Sequence, residues 1–275
     1  MKTRIIVAAV ALPLFLAVIF FAPVWIYGIV VGAIAGLSAW ELLRAVGGVP
    51  KRMACVTSAS AFLIPFLSTV FDAGAVFTVM VFLLFAAMLC ELMHSVSHEK
   101  GLKLETVALC ILAGAVMPLM LTSLVKLAQR DNGVVYALLP FVAAFLSDSG
   151  AYFVGIFLGK HKLCPLLSPK KTIEGAAGGL VTTIAAMLIF GLVLKTIGYE
   201  VNFLVMGCYG FFGSLACQLG DLSFSAIKRL YSVKDYGNLL PGHGGMLDRF
   251  DSTYWTAVMM DILVSWVPAF EKIAG

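Results

Sequence analysis

The chain has 275 residues, 61% of them hydrophobic and only 12% charged, with a net charge of +4. Soluble domains carry about 25% charged residues, so a soluble domain is excluded. An outer-membrane barrel is excluded too, because its strands would alternate in hydropathy and these apolar runs are continuous and long. The class that fits is an all-α, polytopic integral membrane protein. The partner this implies is the lipid bilayer, and no nucleic-acid partner is implied.

In chain order, Met1-Lys2-Thr3-Arg4 leads into an apolar run from Ile5 to Ala22. The run imitates a signal peptide, but no small-x-small cleavage site precedes a polar mature start, so it reads as a retained membrane helix. About 20 apolar residues cross the hydrocarbon core as a helix. On that rule nine spans follow, at 5–22, 24–45, 53–71, 75–94, 105–127, 134–158, 176–197, 202–227 and 252–269. Residues 1–130 form an N-terminal set of helices for packing and dimer contacts. Residues 131–275 form a C-terminal set bearing the polar loops, and both are expected to build one structural unit. With nine spans, fifteen of the 19 Lys and Arg fall on the N-terminal side; Lys126, Arg130, Lys195 and Lys272 are the other four. The positive-inside rule then puts the N-terminus in the cytoplasm and the C-terminus outside. The six cysteines are scattered without a CxxC pair, which implies neither a disulfide nor a zinc framework.

The apolar background makes each polar residue informative. Gly28, Gly32 and Gly36 form a double GxxxG suited to close helix packing, within the chain or in a homodimer. Glu41, beside Trp40 near a helix end, reads as an interfacial anchor. Glu91 and His94, at i and i+3, are a weak metal-ligand pair where a span reaches the interface. Asp148, Asp221 and Asp261 sit in or at the edge of late spans, where an acid costs several kcal/mol unless it faces a polar cavity. Asp261 reads as a neutralised packing acid. Asp148 lies among small residues in SDSGAY. Asp221 and Ser225 share a helix face, with Lys228 and Arg229 one turn further on. The loop 159–175 places Lys170 and Lys171 after a Ser168-Pro169 turn, two point charges at the membrane surface. In the loop 234–251, Pro241, Gly242, Gly244 and Gly245 surround His243, and exposed backbone N–H groups there suit a phosphate chain. Asp248 and Asp251 follow as a D-x-x-D pair, able to offer oxygen ligands to Mg²⁺ from one side of a helical turn. Acids for a hard cation, cations for phosphates and a glycine loop are what phosphoryl or nucleotidyl transfer requires. A transporter would instead spread its polar residues over broken helices in matching halves.

The run from Ser225 to Asp251 resembles the signature of the phosphatidate cytidylyltransferases, or CDP-diacylglycerol synthases. The match comprises Ser225, Ile227, Lys228, Arg229, Lys234, Asp235, Gly237, Leu240, Pro241, His243, Gly244, Gly245, Met246, Asp248, Arg249, Phe250 and Asp251. Gly220-Asp221-Leu222, SDSGAY and SPKKTIEG also fit. Some relatives carry an acid where this chain has Phe224. The resemblance implies that phosphatidate and CTP yield CDP-diacylglycerol and pyrophosphate with Mg²⁺, and extends to a second, monovalent cation such as K⁺. It implies Asp221 and Asp248 as metal ligands, joined by Asp251. Lys171, Lys228, Arg229, His243 and Arg249 complete the expected catalytic set. Asp148, Ser168, Lys170, Lys171, Glu174, Ser225, Lys234, Gly244 and Gly245 are expected to bind substrate. A CTP-dependent lipid kinase is the nearest alternative, and the full signature argues against it.

Overall fold

The computed structural model describes residues 13–97, 102–239 and 244–272. His243 therefore lies outside the described residues, as do Lys2, Arg4, Leu240, Pro241 and Gly242. The apolar runs fold as helices, because in hydrocarbon only an element that satisfies its own backbone N–H and C=O groups is stable. A helical stretch over 13–21 is followed by α1 (Val24–Val46), α2 (Lys51–Leu67), α3 (Ala73–Ser97) and α4 (Leu104–Ile111). A π turn (Leu112–Val116) joins α4 to α5 (Met117–Ala128), and α6 (Gly133–Leu158) follows. Next come β1 (Lys162–Cys164), β2 (Ser168–Thr172), α7 (Ile173–Thr196), β3 (Tyr199–Val201), α8 (Phe203–Leu230), α9 (Leu247–Trp266) and β4 (Phe270–Lys272).

Among the described residues, six helices are long and apolar enough to cross a membrane: Val24–Val46, Ala73–Ser97, Leu104–Ala128, Gly133–Leu158, Ile173–Thr196 and Phe203–Leu230. The expected membrane class stands as a multi-pass helical protein, but six is fewer than the nine spans expected. The reasons are local. Helix α2 has only 17 residues. Helix α9 carries Asp248, Arg249 and Asp251 in its first turns and Asp261 further along. The first expected span is described only in part. Two short antiparallel ladders, β1–β2 and β3–β4, add to the helices.

The chain divides into two compact units, Met1–Gln129 with Tyr231–Phe250, and Arg130–Leu230 with Asp251–Gly275. In the first unit, α1 lies against α2 along the glycine stripe. A Cβ at Gly28 would overlap the Thr69 side chain, and Cβ atoms at Gly32 and Gly36 would come 2.5 Å from Phe62 O and 3.0 Å from Ser58 O. The GxxxG repeat is thus used within the chain: backbones meet where side chains would hold them apart. Ser60 Oγ donates to Gly114 O (2.9 Å), tying α2 to the π turn.

In the second unit, α6, α7 and α8 pack together, and the buried Ser147 and Ser214 hydroxyls bond at 2.8 Å. The β1–β2 ladder pairs Lys162 with Thr172 and Cys164 with Ser168; the β3–β4 ladder pairs Tyr199 with Lys272 and Val201 with Phe270. Helix α7 runs from β2 to β3, so the two ladders cap its opposite ends. Tyr136 stacks on Phe270 (4.7 Å) and Arg130 pairs with Asp261 (3.4 Å). That ion pair gives Asp261 the packing role its sequence context suggests.

Candidate functional site

In the second unit, α6, the β1–β2 ladder, α7 and α8 enclose a cavity of about 600 Å³. Its charged lining is Asp148 from α6, Lys162, Lys170 and Lys171 from the ladder, and Asp221 from α8. Four of these five were expected from the sequence. Strand β2 delivers Lys170 and Lys171 together because it runs extended into α7, whose N-terminus Thr172 caps: its Oγ1 accepts from Gly175 N (3.0 Å). Lys171 Nζ forms an ion pair with Asp221 Oδ2. The other carboxylate oxygen, Oδ1, accepts from Ser225 Oγ (3.2 Å), so the shared helix face read from the sequence is realised as a hydrogen bond. Asp148 Oδ1 lies 3.4 Å from Cys217 Sγ.

Asp251 joins this group through close backbone packing. A Cβ at Gly220 would lie 3.0 Å from Asp251 O and from Ser252 Cα, so only glycine lets α9 come this near the turn holding Asp221. Asp251 is just ahead of the apolar run 252–269. Its carboxyl is pushed up to about 7, first by burial and then by the charge of Asp221, while Lys228 opposes the rise. Arg229 Nε donates to Leu167 O (3.1 Å), fastening the end of α8 to the turn of the ladder. Ser168 begins β2. Glu174 turns to the backbone instead: it accepts from Lys160 N (3.1 Å) and His161 N (3.2 Å) and pairs with His161 Nδ1 (2.6 Å). Neither Ser168 nor Glu174 is among the residues lining the cavity.

The first unit holds the rest of the signature. Asp248 Oδ2 accepts from Tyr236 N (2.8 Å) and Gly245 N (3.0 Å), drawing the ends of the loop together. Gly244 takes φ +88°, a left-handed conformation that suits glycine. Lys234 and Arg249 are exposed. Glu41 is a correction to the sequence reading: it is no interfacial anchor but 7% exposed, with Oε2 accepting from Leu247 N (2.9 Å). A separate cavity of about 770 Å³ takes in Glu91, His94, Lys51, Arg52 and Lys103. Among the described residues, no three of His, Cys, Asp and Glu group closely enough for a protein-only metal cage, there or elsewhere.

Sequence reading missed Lys162, Thr172 and Gln218. Gln218 lines the first cavity one turn before Asp221, with Nε2 donating to Ala176 O (3.0 Å) and Ser214 Oγ (3.2 Å). An amide inside an apolar helix was the available signal, since such groups need partners.

Fold and site together define a multi-pass membrane protein whose charged cavity combines lysines with carboxylates. The cytidylyltransferase family model matches residues 2–267. The phosphatidate cytidylyltransferase of Bacillus subtilis (strain 168) is 35% identical over 261 residues, 92% of this chain and 93% of that protein. Those of Staphylococcus haemolyticus (strain JCSC1435) and Staphylococcus aureus (strain COL) are 42% and 43% identical over 137 and 135 residues. These matches cover 50% and 49% of this chain, and 52% and 51% of the relatives. The chain belongs to the cytidylyltransferase family.

Proposed function

We propose that the protein makes CDP-diacylglycerol from phosphatidate and CTP in phospholipid biosynthesis. Family membership over nearly the whole chain supports this, and the observation that carries it is the Lys171–Asp221 pair in a lysine-lined cavity. A phosphate oxygen of phosphatidate attacks the α-phosphorus of CTP; the α–β phosphoanhydride bond breaks and pyrophosphate leaves. A phosphate monoester has a second pKa of about 6, so the nucleophile is largely ionised at neutral pH and needs no strong base. The main obstacle is repulsion between two anions. Lys170 and Lys171 offset it as fixed cations, and Lys228, Arg229 and Arg249 follow from the family resemblance.

Mg²⁺ fits the residues present. A cation already rests on Asp221, the ammonium of Lys171, and Asp251 and Asp221 repel one another. Mg²⁺ is commonly held by one or two carboxylates plus substrate phosphates and does not require a protein-only cage. Asp221 and Asp251 would hold it, and Asp248 is assigned from its D-x-x-D spacing with Asp251 and from the resemblance. When bound, Mg²⁺ neutralises charge on the transferring phosphoryl group. K⁺ as a second ion is part of the same proposal.

The setting we propose is the plasma membrane, since the relatives are bacterial, with a cytoplasmic N-terminus, an external C-terminus and nine spans. The shorter α2, the part of α9 that follows Asp251 and the stretch over 13–21 would then cross with the six longer helices. The test is to supply purified protein with phosphatidate and CTP while titrating Mg²⁺, with and without K⁺. Pyrophosphate release with lipid-linked CMP is expected. Release of CDP would identify a kinase and overturn the reading.

A further inference from the structure

We infer that Glu41 is a positioning residue for the glycine loop, acting from the middle of the N-terminal helices and not from the signature itself. The inference rests on the proposed substrate role of that loop. Four observations converge on this one side chain. Glu41 is 7% exposed although it lies on the apolar helix α1. Its Oε2 accepts from Leu247 N (2.9 Å), an orphan donor at the first residue of α9. Its Oε1 is buried and has no hydrogen-bond partner among the described residues. Two loop glycines close on the carboxylate: a Cβ at Gly237 would lie 2.5 Å from Oε1, and a Cβ at Gly245 would overlap the carboxylate group.

The geometry explains the glycines as much as the acid. All three of the nearest atoms to a Cβ at either position belong to Glu41. Both ends of the loop are therefore pressed against one carboxylate, which also caps the helix that follows. Asp248 closes the same loop from inside by accepting from Tyr236 N and Gly245 N. Glu41 and Asp248 thus hold opposite sides of Gly245: one excludes any side chain there, the other fixes its N–H. A buried carboxylate oxygen without a hydrogen-bond partner among the described residues is costly, so the bond from Leu247 N and the close packing of the two glycines have to offset it. With Gly237 and Gly245 held in this way, the points where the loop leaves and returns are set before substrate arrives, which lowers the ordering cost on binding.

The test combines three single variants and one double variant with two readouts. E41A is expected to lower kcat for CDP-diacylglycerol synthesis about tenfold or more. E41Q keeps an acceptor for Leu247 N–H and exchanges one orphan polar atom for another, so it should stay within about threefold of the wild type. G237A alone should lower activity by displacing the carboxylate, and should add little to E41A, because contacting residues are non-additive. Hydrogen exchange of detergent-solubilised protein should rise in E41A over residues 231–250 and not over α1 and α2. Equal losses in E41Q and E41A, additive effects of G237A and E41A, or unchanged exchange in the loop would each overturn the proposal. So would loosening of α1 and α2 to the same degree, which would make Glu41 a general packing residue. If the wild type makes no CDP-diacylglycerol, the functional reading fails, while the exchange arm still decides whether Glu41 anchors the loop.

Discussion

Asp221 makes two interactions, an ion pair with Lys171 and a hydrogen bond from Ser225. The D221N variant keeps the size and loses the charge. Its kcat is expected to fall at least about a hundredfold, the scale of removing one main electrostatic stabiliser. Normal turnover of D221N at limiting Mg²⁺ would remove Asp221 from the metal site. Lys171 makes a different prediction. A charge-assisted contact is worth about 1.5–3 kcal/mol, or roughly ten- to a hundredfold in rate. If Lys171 meets charge that develops in the transition state, K171A should lower kcat by that factor with little change in the KM for CTP. A near-normal kcat and KM in a properly inserted K171A would leave Lys171 as a head-group anchor.

The β1–β2 ladder and the start of α7 work as one element, because Thr172 ends the strand, caps the helix and lines the cavity. Loss of an N-cap costs about 1 kcal/mol. T172A is therefore expected to lower the thermal midpoint of the detergent-solubilised protein and T172S to restore it. Equal midpoints for T172A and wild type would show that the cap contributes nothing. At the other side of the ladder, R229A removes the bond to Leu167 O. Faster proteolysis within 159–172 is expected, with α7 and α8 unaffected. An unchanged cleavage rate would mean that the Arg229 contact does not hold the ladder.

Across the whole molecule, topology is the quantity to measure. Within the second unit, Leu166 belongs to the β1–β2 turn and Glu200 to β3, at opposite ends of α7. Helix α7 is 24 residues long, and at a rise of about 1.5 Å per residue its length exceeds a hydrocarbon core of about 30 Å. In a background without the six native cysteines, L166C is expected to label only from the cytoplasm and E200C only from outside. The pairing of Tyr199–Val201 with Phe270–Lys272 puts the C-terminal strand at the same end as Glu200. Labelling of both positions from one side would refute the assigned orientation.

The sequence by itself determined the membrane class, because backbone groups in hydrocarbon leave a long apolar run little choice but helix. It also singled out Asp148, Lys170, Lys171 and Asp221, which line one cavity; for the two acids the reason was the cost of charge in an apolar span. The helix-face pairing of Asp221 and Ser225 was legible for a local reason, a fixed period of 3.6 residues. What depended on packing was not legible. Glu41 stands beside Trp40 and looks interfacial, yet Leu247, some two hundred positions away, is its partner. Gln218 and Lys162 enter the cavity through the packing of α7 with α8 and the register of a short ladder, which no local pattern specifies. The bonds that Glu174 accepts from Lys160 N and His161 N were likewise not legible in its motif. The assignment of residues 231–250 to the unit of the N-terminal helices was likewise decided by tertiary structure alone. Hydropathy reports where a segment lies relative to the bilayer, whereas contacts between distant segments are set by shape and by the need to satisfy buried polar groups.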